Sequence, residues 1–590
     1  MGLQSRTALL SAFAVLAVSQ AGAEPLPTAA PASPARPAPP AQASAPVIPT
    51  AAEEADLILV AKTSGLAVYP DCDGYGAPAA SGDGMTKVAY RLGSPGGDTS
   101  RTTPPFGREG IGACGAALQD LEAKYSRYWM RRVSLLRARA LHRLALNDTA
   151  GALRDLDAAK AAEGGGADDV LARRSLGLGV DFVRALALRR SGQPEAGRSL
   201  ALATWAVRPW NRETAQAALI AIGGDAPADQ IERILRAEAQ FNPQTTTQLF
   251  GEDFERGRFA DALSVYDALT PSVRLDPGPG GETDVAGLEQ SNRALAAEYW
   301  AEADGRKAYA LAALGRVDEA KSVLQAAEAR FAGETAAAAP STQEPSQRGR
   351  LLNAAWAQAD LEIRTKVPSQ LAAWRALVDA RTDVAKGDAG SVKAYLHGVK
   401  PTMLGAVVEL MDAASVHDAK ARMAAKTGRR LLVQRRIRQP AAEVRALFEA
   451  LPESETRARL VGDAPKSFFG SGDGFTITPH PETGLTTIDY RGGRASPSIM
   501  EEEALLKAAQ LARQAGKSGL IVEARRDLRR TETTYHNFAL IGATPAGFET
   551  ELVVAFVDLA TPTPPYDRAK WRLVDAAAVR QSLDPVYHFQ

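Results

Sequence analysis

The chain has 590 residues, room for several domains, and its 69 basic residues balance 69 acidic ones. A neutral chain is not built as a whole to hold nucleic acid. Beyond the N-terminus apolar runs such as Leu552 to Val557 fall far short of the roughly 20 residues that a membrane-spanning helix needs.

In chain order, residues 1–23 read as a secretory signal. Arg6 supplies the positive charge, Ala8 to Val18 the apolar stretch, and Ala21-Gly22-Ala23 the small-residue cleavage site. No cysteine stands there to take a lipid. Residues 24–50 are rich in proline and alanine and predict a disordered, semi-stiff linker, because proline removes backbone donors and favours extended chain. Residues 51–115 predict an irregular N-terminal cap that opens with a short helix over Ala51 to Lys62. Stacked helical units need such a cover, since an exposed stacking face invites association. Within it lie Cys72 and Cys114, the chain's two cysteines. In an oxidising compartment they predict one disulfide, with two unpaired thiols as the alternative. Closing that loop contributes on the order of 4 kcal/mol in the chain-entropy model, less any strain. The export signal and the high alanine and arginine content point to the periplasm of a Gram-negative bacterium, with secretion as the alternative.

Residues 116–462 carry helical periodicity. In Arg131 to Ala159, Leu135, Leu136, Ala140, Leu141 and Leu144 stripe one helix, and Ala152, Leu153, Leu156 and Ala159 stripe a second across the turn Asn147-Asp148-Thr149. Two short helices cannot bury both apolar faces alone, so neighbours are required. The same spacing recurs in full at Ala308, Gly315, Ala320, Leu324 and Ala327. It recurs in part at Ala185, Gly192, Gly197 and Pro209, at Phe250, Gly257, Ala262, Tyr266 and Leu269, and weakly near Ala380 to Val392. This pattern resembles the tetratricopeptide repeat, in which small residues let two helices approach closely and a large one fills the groove of the next unit. The resemblance implies a solenoid of helical hairpins, packed through Ala140, Ala152, Ala159, Ala308, Gly315, Ala320 and Ala327. Its surface would bind proteins or peptides. The alanines at 152, 262 and 320 are further apart than the repeat period of about 34 residues, so the units are interrupted or divergent. Asp276 to Gly287 and Gly333 to Arg348 carry the turn residues of exposed loops.

Residues 463–590 change period. Phe475 to Thr478 and Leu485 to Tyr490 predict a hairpin, and Ser498 with Glu501 predicts a capping box opening a helix that ends at Gly516. Leu520-Ile521-Val522 and Phe548 to Phe556 predict two further strands. The order ββαββ gives a small α+β domain, mainly antiparallel.

Several residue groups could carry chemistry. Gly110-Ile111-Gly112-Ala113-Cys114-Gly115 spells G-x-G-x-x-G, but no predicted strand precedes it, so it reads as a flexible lead-in to a helix rather than a dinucleotide loop. Asp71-Cys72-Asp73-Gly74-Tyr75-Gly76 starts like a calcium loop and then lacks its later ligands, which leaves a glycine-rich turn. His142 sits in an arginine-rich helix and reads as solvent-facing or at an edge rather than catalytic. His480 and His536 share the C-terminal domain and could meet Glu482 or Asp489 only through the fold. Gly470 to Gly474 reads as a hinge. Two arginine clusters, Arg429 to Arg438 and Arg525 to Arg530, read as solvated, ion-paired faces. Trp205, Trp210, Trp300, Trp356 and Trp374 read as core.

The expectation is therefore a mainly α protein: a tetratricopeptide-like α-solenoid followed by a small α+β domain. It predicts a non-enzymatic scaffold of the cell envelope that binds another envelope protein or a peptide, with no cofactor, no metal and no nucleic acid. The alternatives are an envelope hydrolase or a ligand-binding sensor with a pocket between the two parts.

Overall fold

The computed structural model describes residues 48–64, 67–78, 84–85, 103–164, 169–269, 285–336, 347–388, 392, 404–416, 419–436, 438–452, 466–467, 470–471, 474–492, 496–536, 539–562, 566 and 570–587. The predicted signal and nearly all of the linker lie outside these residues, as does the greater part of both predicted loops. The chain is mostly helical, with a small antiparallel sheet near its end.

The N-terminal part is more helical than its glycine and proline content predicts. It contains α1 (Ala51–Thr63), α2 (Val68–Asp73) and α3 (Arg108–Lys124), and α3 runs unbroken through residue 115. Thr50 and Glu53 form a reciprocal capping box that starts α1. Cys72 on α2 and Cys114 on α3 are bonded, with their Cα atoms 4.6 Å apart.

Next come α4 (Trp129–Ala145) and α5 (Thr149–Glu163). A short α6 (Val170–Ala172) passes through a π-helical turn into α7 (Leu178–Arg190), which pairs with α8 (Pro194–Val207). After α9 (Arg212–Ile222) and α10 (Ala228–Phe241) come α11 (Thr245–Glu255) with α12 (Phe259–Tyr266), then α13 (Val285–Ala313) with α14 (Val317–Ala336). All four hairpins expected from the small-residue spacing form. Each turns at its predicted residue, and in each that residue is left-handed: φ is 61° at Asn147, 85° at Gly192, 73° at Gly257 and 82° at Gly315. Glycine or asparagine is needed there because a Cβ crowds the following carbonyl. The same backbone bond then closes all four turns: Asp148 to Arg143 O, Gln193 to Leu188 O, Arg258 to Asp253 O and Arg316 to Leu311 O, at 2.8 to 3.0 Å. Small residues sit at the crossings, where Ala140, Ala152, Ala159, Ala308, Ala320 and Ala327 are all buried. At the α7/α8 crossing a Cβ on Gly197 would stand 2.5 Å from the carbonyl oxygen of Ala185.

The described residues continue with α15 (Gln347–Ala385), α16 (Leu404–Ala414), α17 (Ala419–Arg436) and α18 (Pro440–Ala450). The weakly predicted unit near Ala380 is the end of the long α15 instead. One continuous apolar core joins Met130 to Leu451. At its centre Trp374, fully buried, meets Phe254 edge-to-face at 5.8 Å between ring centroids and lies beside Tyr309. Trp205 is buried too, and Trp210 and Trp300 are partly so; the side chain of Trp356 is outside the described residues.

Two short strands, β1 (Lys466–Ser467) and β2 (Gly470–Ser471), pair with each other where the hinge was expected. The main sheet has five strands: β3 (Gly474–His480), β4 (Leu485–Gly492), β5 (Gly519–His536), β6 (Ala539–Val557) and β7 (Val574–Asp575). Their order is β3-β4-β6-β5-β7, all antiparallel. The expected strands are present, but β5 and β6 are far longer than the apolar segments that announced them, and β5 takes in the whole Arg525 to Arg530 cluster. Helix α19 (Pro497–Gln514) packs on the sheet, followed at the C-terminus by α20 (Ala576–Leu583). The core of this domain also receives Leu171 and Phe241 from the helical part.

Candidate functional site

The G-x-G-x-x-G stretch is not a flexible lead-in; it is the buried face of α3. A Cβ on Gly110 would fall 2.1 Å from the His142 ring, one on Gly112 2.6 Å from the Leu57 carbonyl oxygen, and one on Gly115 2.5 Å from Ile58. The three glycines let α1 and α4 lie directly against α3, so their spacing serves helix packing and not a phosphate. His142, expected at the surface, is completely buried between them. Its Nε2 lies 2.8 Å from the Cys72 carbonyl, which can only accept, so that nitrogen carries the proton. Phe106 packs against the ring at 5.3 Å between centroids. Burial lowers the histidine from 6.5 to about 4, against the opposing pull of the Cys72 carbonyl, so the ring is neutral at pH 7.

In the calcium-like stretch, a guanidinium already holds the key carboxylate. Asp73 pairs with Arg131 at 2.9 Å, both fully buried, and accepts from the Ser134 hydroxyl at 2.7 Å. Arg131 also donates to the carbonyls of Tyr75 and Gly76.

A second concentration of charge, unremarkable in the sequence, lies between the helical part and the C-terminal domain. Glu501, Glu502 and Glu503 are consecutive on α19 and all buried. Successive helical residues point about 100° apart, so three buried in a row require cover on several sides. The sheet, α20 and the helical array supply it. Glu502 accepts from Arg208 Nε at 3.0 Å and Nη2 at 2.7 Å, from Arg174 Nη2 at 2.8 Å and from the Tyr587 hydroxyl at 2.6 Å. Glu501 does not close a capping box. It pairs with Arg525 and accepts from Asn211 Nδ2 at 3.1 Å and the Arg212 backbone N–H at 3.0 Å. The cap of α19 is Ser496, which accepts from the Ile499 N–H, while Ser498 donates to Glu213. Glu503 accepts from Tyr490.

These carboxylates differ in proton affinity. Burial pulls Glu502 upward, but the guanidiniums of Arg208 and Arg174 outweigh it and hold the group below its ordinary value. Burial raises Glu501 despite Arg525, and it raises Glu238, which accepts from Asn242 at 3.1 Å on the neighbouring α10. Asp527 is also pushed up by burial, yet Arg525 and Arg212 bring it net downward. A spread of this kind can mark acid–base chemistry. Here Glu501 and Glu502 are each held by several protein donors, and neither of the two cavities described below is lined by them. Their arrangement is a joint between two parts of the chain.

The arginine cluster expected at a solvated face divides. Arg525 is buried in this joint, Arg526 is exposed beside Glu551 at 3.3 Å, and the side chains of Arg529 and Arg530 lie outside the described residues. The histidines of the same domain do not converge. His480 is paired with Leu485, Leu485 with Ala555 and Ala555 with Ile521, which puts His480 at the Ile521 end of the sheet. His536 is fifteen residues further along β5, on the order of 50 Å at about 3.3 Å per residue. His480 Nε2 is 3.0 Å from Thr487 Oγ1, and Asp489 pairs with Arg491 at 2.8 Å.

Cavities open on the helical part, and two bear on function. One, of about 420 Å³, lies against α12, α13 and α14 and mixes Asp267 and Glu319 with Lys307 and Arg316. The other, of about 650 Å³, lies where α18 crosses the α4/α5 turn and the end of α7. Arg189, Arg190, Arg438 and Glu443 line it, together with Asn147, Thr149, Gln434 and Gln439. Glu443 pairs with Arg189 and with Arg190, the latter at 2.6 Å. No family model, curated protein or solved structure matches the chain.

Proposed function

We propose that the protein is an exported, non-enzymatic binding platform of the cell envelope, built as a tetratricopeptide-like solenoid that carries the α+β domain rigidly at its side. The observation that carries this is the recurrence of one hairpin geometry at four places, with the left-handed turn residue, the turn-closing backbone bond and the small crossing residue all in register. Repeated hairpins extend a surface, and surfaces of that kind bind segments of other chains. The disulfide between Cys72 and Cys114 and the export-like N-terminus support a location outside the cytoplasm. Among the described residues no helix is long and apolar enough to cross a membrane. The hydrolase alternative loses its best pair, since His480 on β3 stands at the Ile521 end of the sheet and His536 at the far end of β5, and the buried carboxylates are committed to the joint.

Fractionation and photocrosslinking test this together. A tagged full-length chain should appear in the periplasmic fraction with Glu24 as its new N-terminus. Photoreactive residues placed along α4, α7 and α13 should give discrete adducts with an envelope protein or peptide. Retention in the cytoplasm with the signal uncleaved, or no adduct from any position on a folded protein, would refute the proposal.

A further inference from the structure

We propose that the cavity under α18 is a receptor for a carboxylate-rich ligand, such as a short acidic peptide segment or a free polycarboxylic acid. This deepens the binding-platform reading and rests on it in treating the ligand as a partner and not a substrate.

The cavity is made by distant parts of the chain. Arg190 and Glu443 are 253 positions apart, and their pairing brings α18 back over the end of α7. Two of its three arginines are held in place. Arg190 donates to the carbonyl oxygens of Leu144 and Pro440 at 2.8 Å each, and Arg189 to that of Ala221 at 3.1 Å. Both guanidiniums already grip a carboxylate, that of Glu443, so the wall shows what its forks accept. Arg438 is different. It is exposed at the edge of the cavity and makes no ion pair among the described residues. With three arginines facing one glutamate, the lining keeps an excess of positive charge after Glu443 is counted. Asp225, 3.9 Å from Arg189, is not part of the wall.

The other lining groups narrow the chemistry. Asn147, Gln434 and Gln439 offer amides that both donate and accept, as a peptide backbone or a polyacid with hydroxyl groups requires. Among the described residues no aromatic side chain lines the cavity, so they offer nucleobases no surface to stack on. Among the described lining residues Pro440 alone is apolar, which favours a polar ligand over a lipid chain. Helix α18 starts at the cavity with no side-chain cap at Gln439, and its positive end adds to the attraction for an anion. About 650 Å³ lies within the usual range for small-ligand sites and suits a few residues of extended peptide.

The test uses the mature full chain and fluorescent tetraglutamate, read by anisotropy at low salt. Tetraglutamine is the neutral control, and unlabelled citrate the competitor. Tetraglutamate should bind and weaken steeply with added salt, while tetraglutamine should not bind. Arg438→Glu should lower affinity at least about tenfold, the loss expected for a charged hydrogen-bond partner, with an unchanged urea midpoint because Arg438 is exposed and makes no ion pair among the described residues. Arg316→Gln at the other cavity should change nothing. Displacement by citrate below the peptide's own dissociation constant would assign the site to a free acid; its failure to compete would assign it to a peptide. Equal binding of tetraglutamine, an unaltered affinity in Arg438→Glu, or no binding of either anion at millimolar concentration would overturn the proposal. If photocrosslinks from α4, α7 and α13 persist in that case, the platform reading survives the loss of this site.

Discussion

Replacing Glu502 with alanine isolates the joint between the helical part and the C-terminal domain. The carboxylate is fully buried and accepts two bonds from Arg208, one from Arg174 and one from Tyr587. Its removal leaves the fully buried Arg208 and the nearly buried Arg174 without their shared counter-charge. Breaking a buried pair from one side costs about 3 to 5 kcal/mol, because the remaining charge stays desolvated. Two guanidiniums share this carboxylate, so the loss belongs at the upper end of that range. Equilibrium urea unfolding, followed by tryptophan fluorescence and by circular dichroism, measures it. The C-terminal domain should detach first, so the two probes should no longer coincide. A triple variant, Glu502→Leu with Arg208→Met and Arg174→Met, should recover most of the loss, since apolar groups of similar volume need no counter-charge. The pH dependence follows from the lowered proton affinity. Glu502 contributes its stability above the ordinary carboxylate range and loses it as pH falls through its depressed folded value. A destabilisation by Glu502→Ala of less than about 1 kcal/mol, the level of an exposed pair, would show that the joint is not held by this group.

His142 predicts a second acid sensitivity. Its folded value of about 4 is below the unfolded 6.5, so the stability it contributes is complete above pH 6.5 and drains away as pH falls toward 4. A shift of that size corresponds to roughly 3 kcal/mol, and the wild-type minus His142→Leu difference in unfolding free energy across that window should show it. A pH-independent difference would contradict the buried, neutral ring. Gly112→Ala should destabilise by about 1 to 3 kcal/mol through overpacking on α1, outweighing the better helix propensity of alanine. Gly164→Ala has open space and a right-handed backbone, and should stabilise by about 0.4 to 1 kcal/mol; thermal melts of the two variants should move in opposite directions. Reduction of the disulfide should lower stability by up to about 4 kcal/mol, and a Cys72→Ala, Cys114→Ala variant should melt identically with and without reductant.

Much of the architecture was legible locally. A small residue, a left-handed turn seven positions later and another small residue five beyond that are enough to place a hairpin, because helix pitch and turn geometry act over single turns. That is why Ala140 with Asn147 and Ala308 with Gly315 located their hairpins to the residue. Alternation marked Thr550, Leu552 and Val554 as the inward face of β6, and all three are buried. Two cysteines in an export-marked chain named their own disulfide.

Burial of polar groups was a different matter. Glu501 read as half of a capping box and His142 among arginines as solvent-facing or at an edge, yet the histidine and all three consecutive glutamates are enclosed. What reverses them is not nearby: Arg174 and Arg208 are 328 and 294 positions from Glu502, and the Cys72 carbonyl is 70 from His142. The glycines of α3 carried the letters of a phosphate loop, and only the approach of Leu57, Ile58 and His142 shows that they make room for helices. The cavity was half visible, since Arg438 belongs to a recognised cluster while Arg189 and Arg190 drew no attention. The sequence by itself determined that the chain is mostly helical with a small antiparallel sheet near its end and where the four hairpins turn, because periodicity and turn chemistry are local, but not how far α3, α15, β5 and β6 extend. Tertiary structure alone decided which charges are buried, what they pair with and where a cavity opens, because the free energy of a charge depends on the groups brought beside it from elsewhere in the chain.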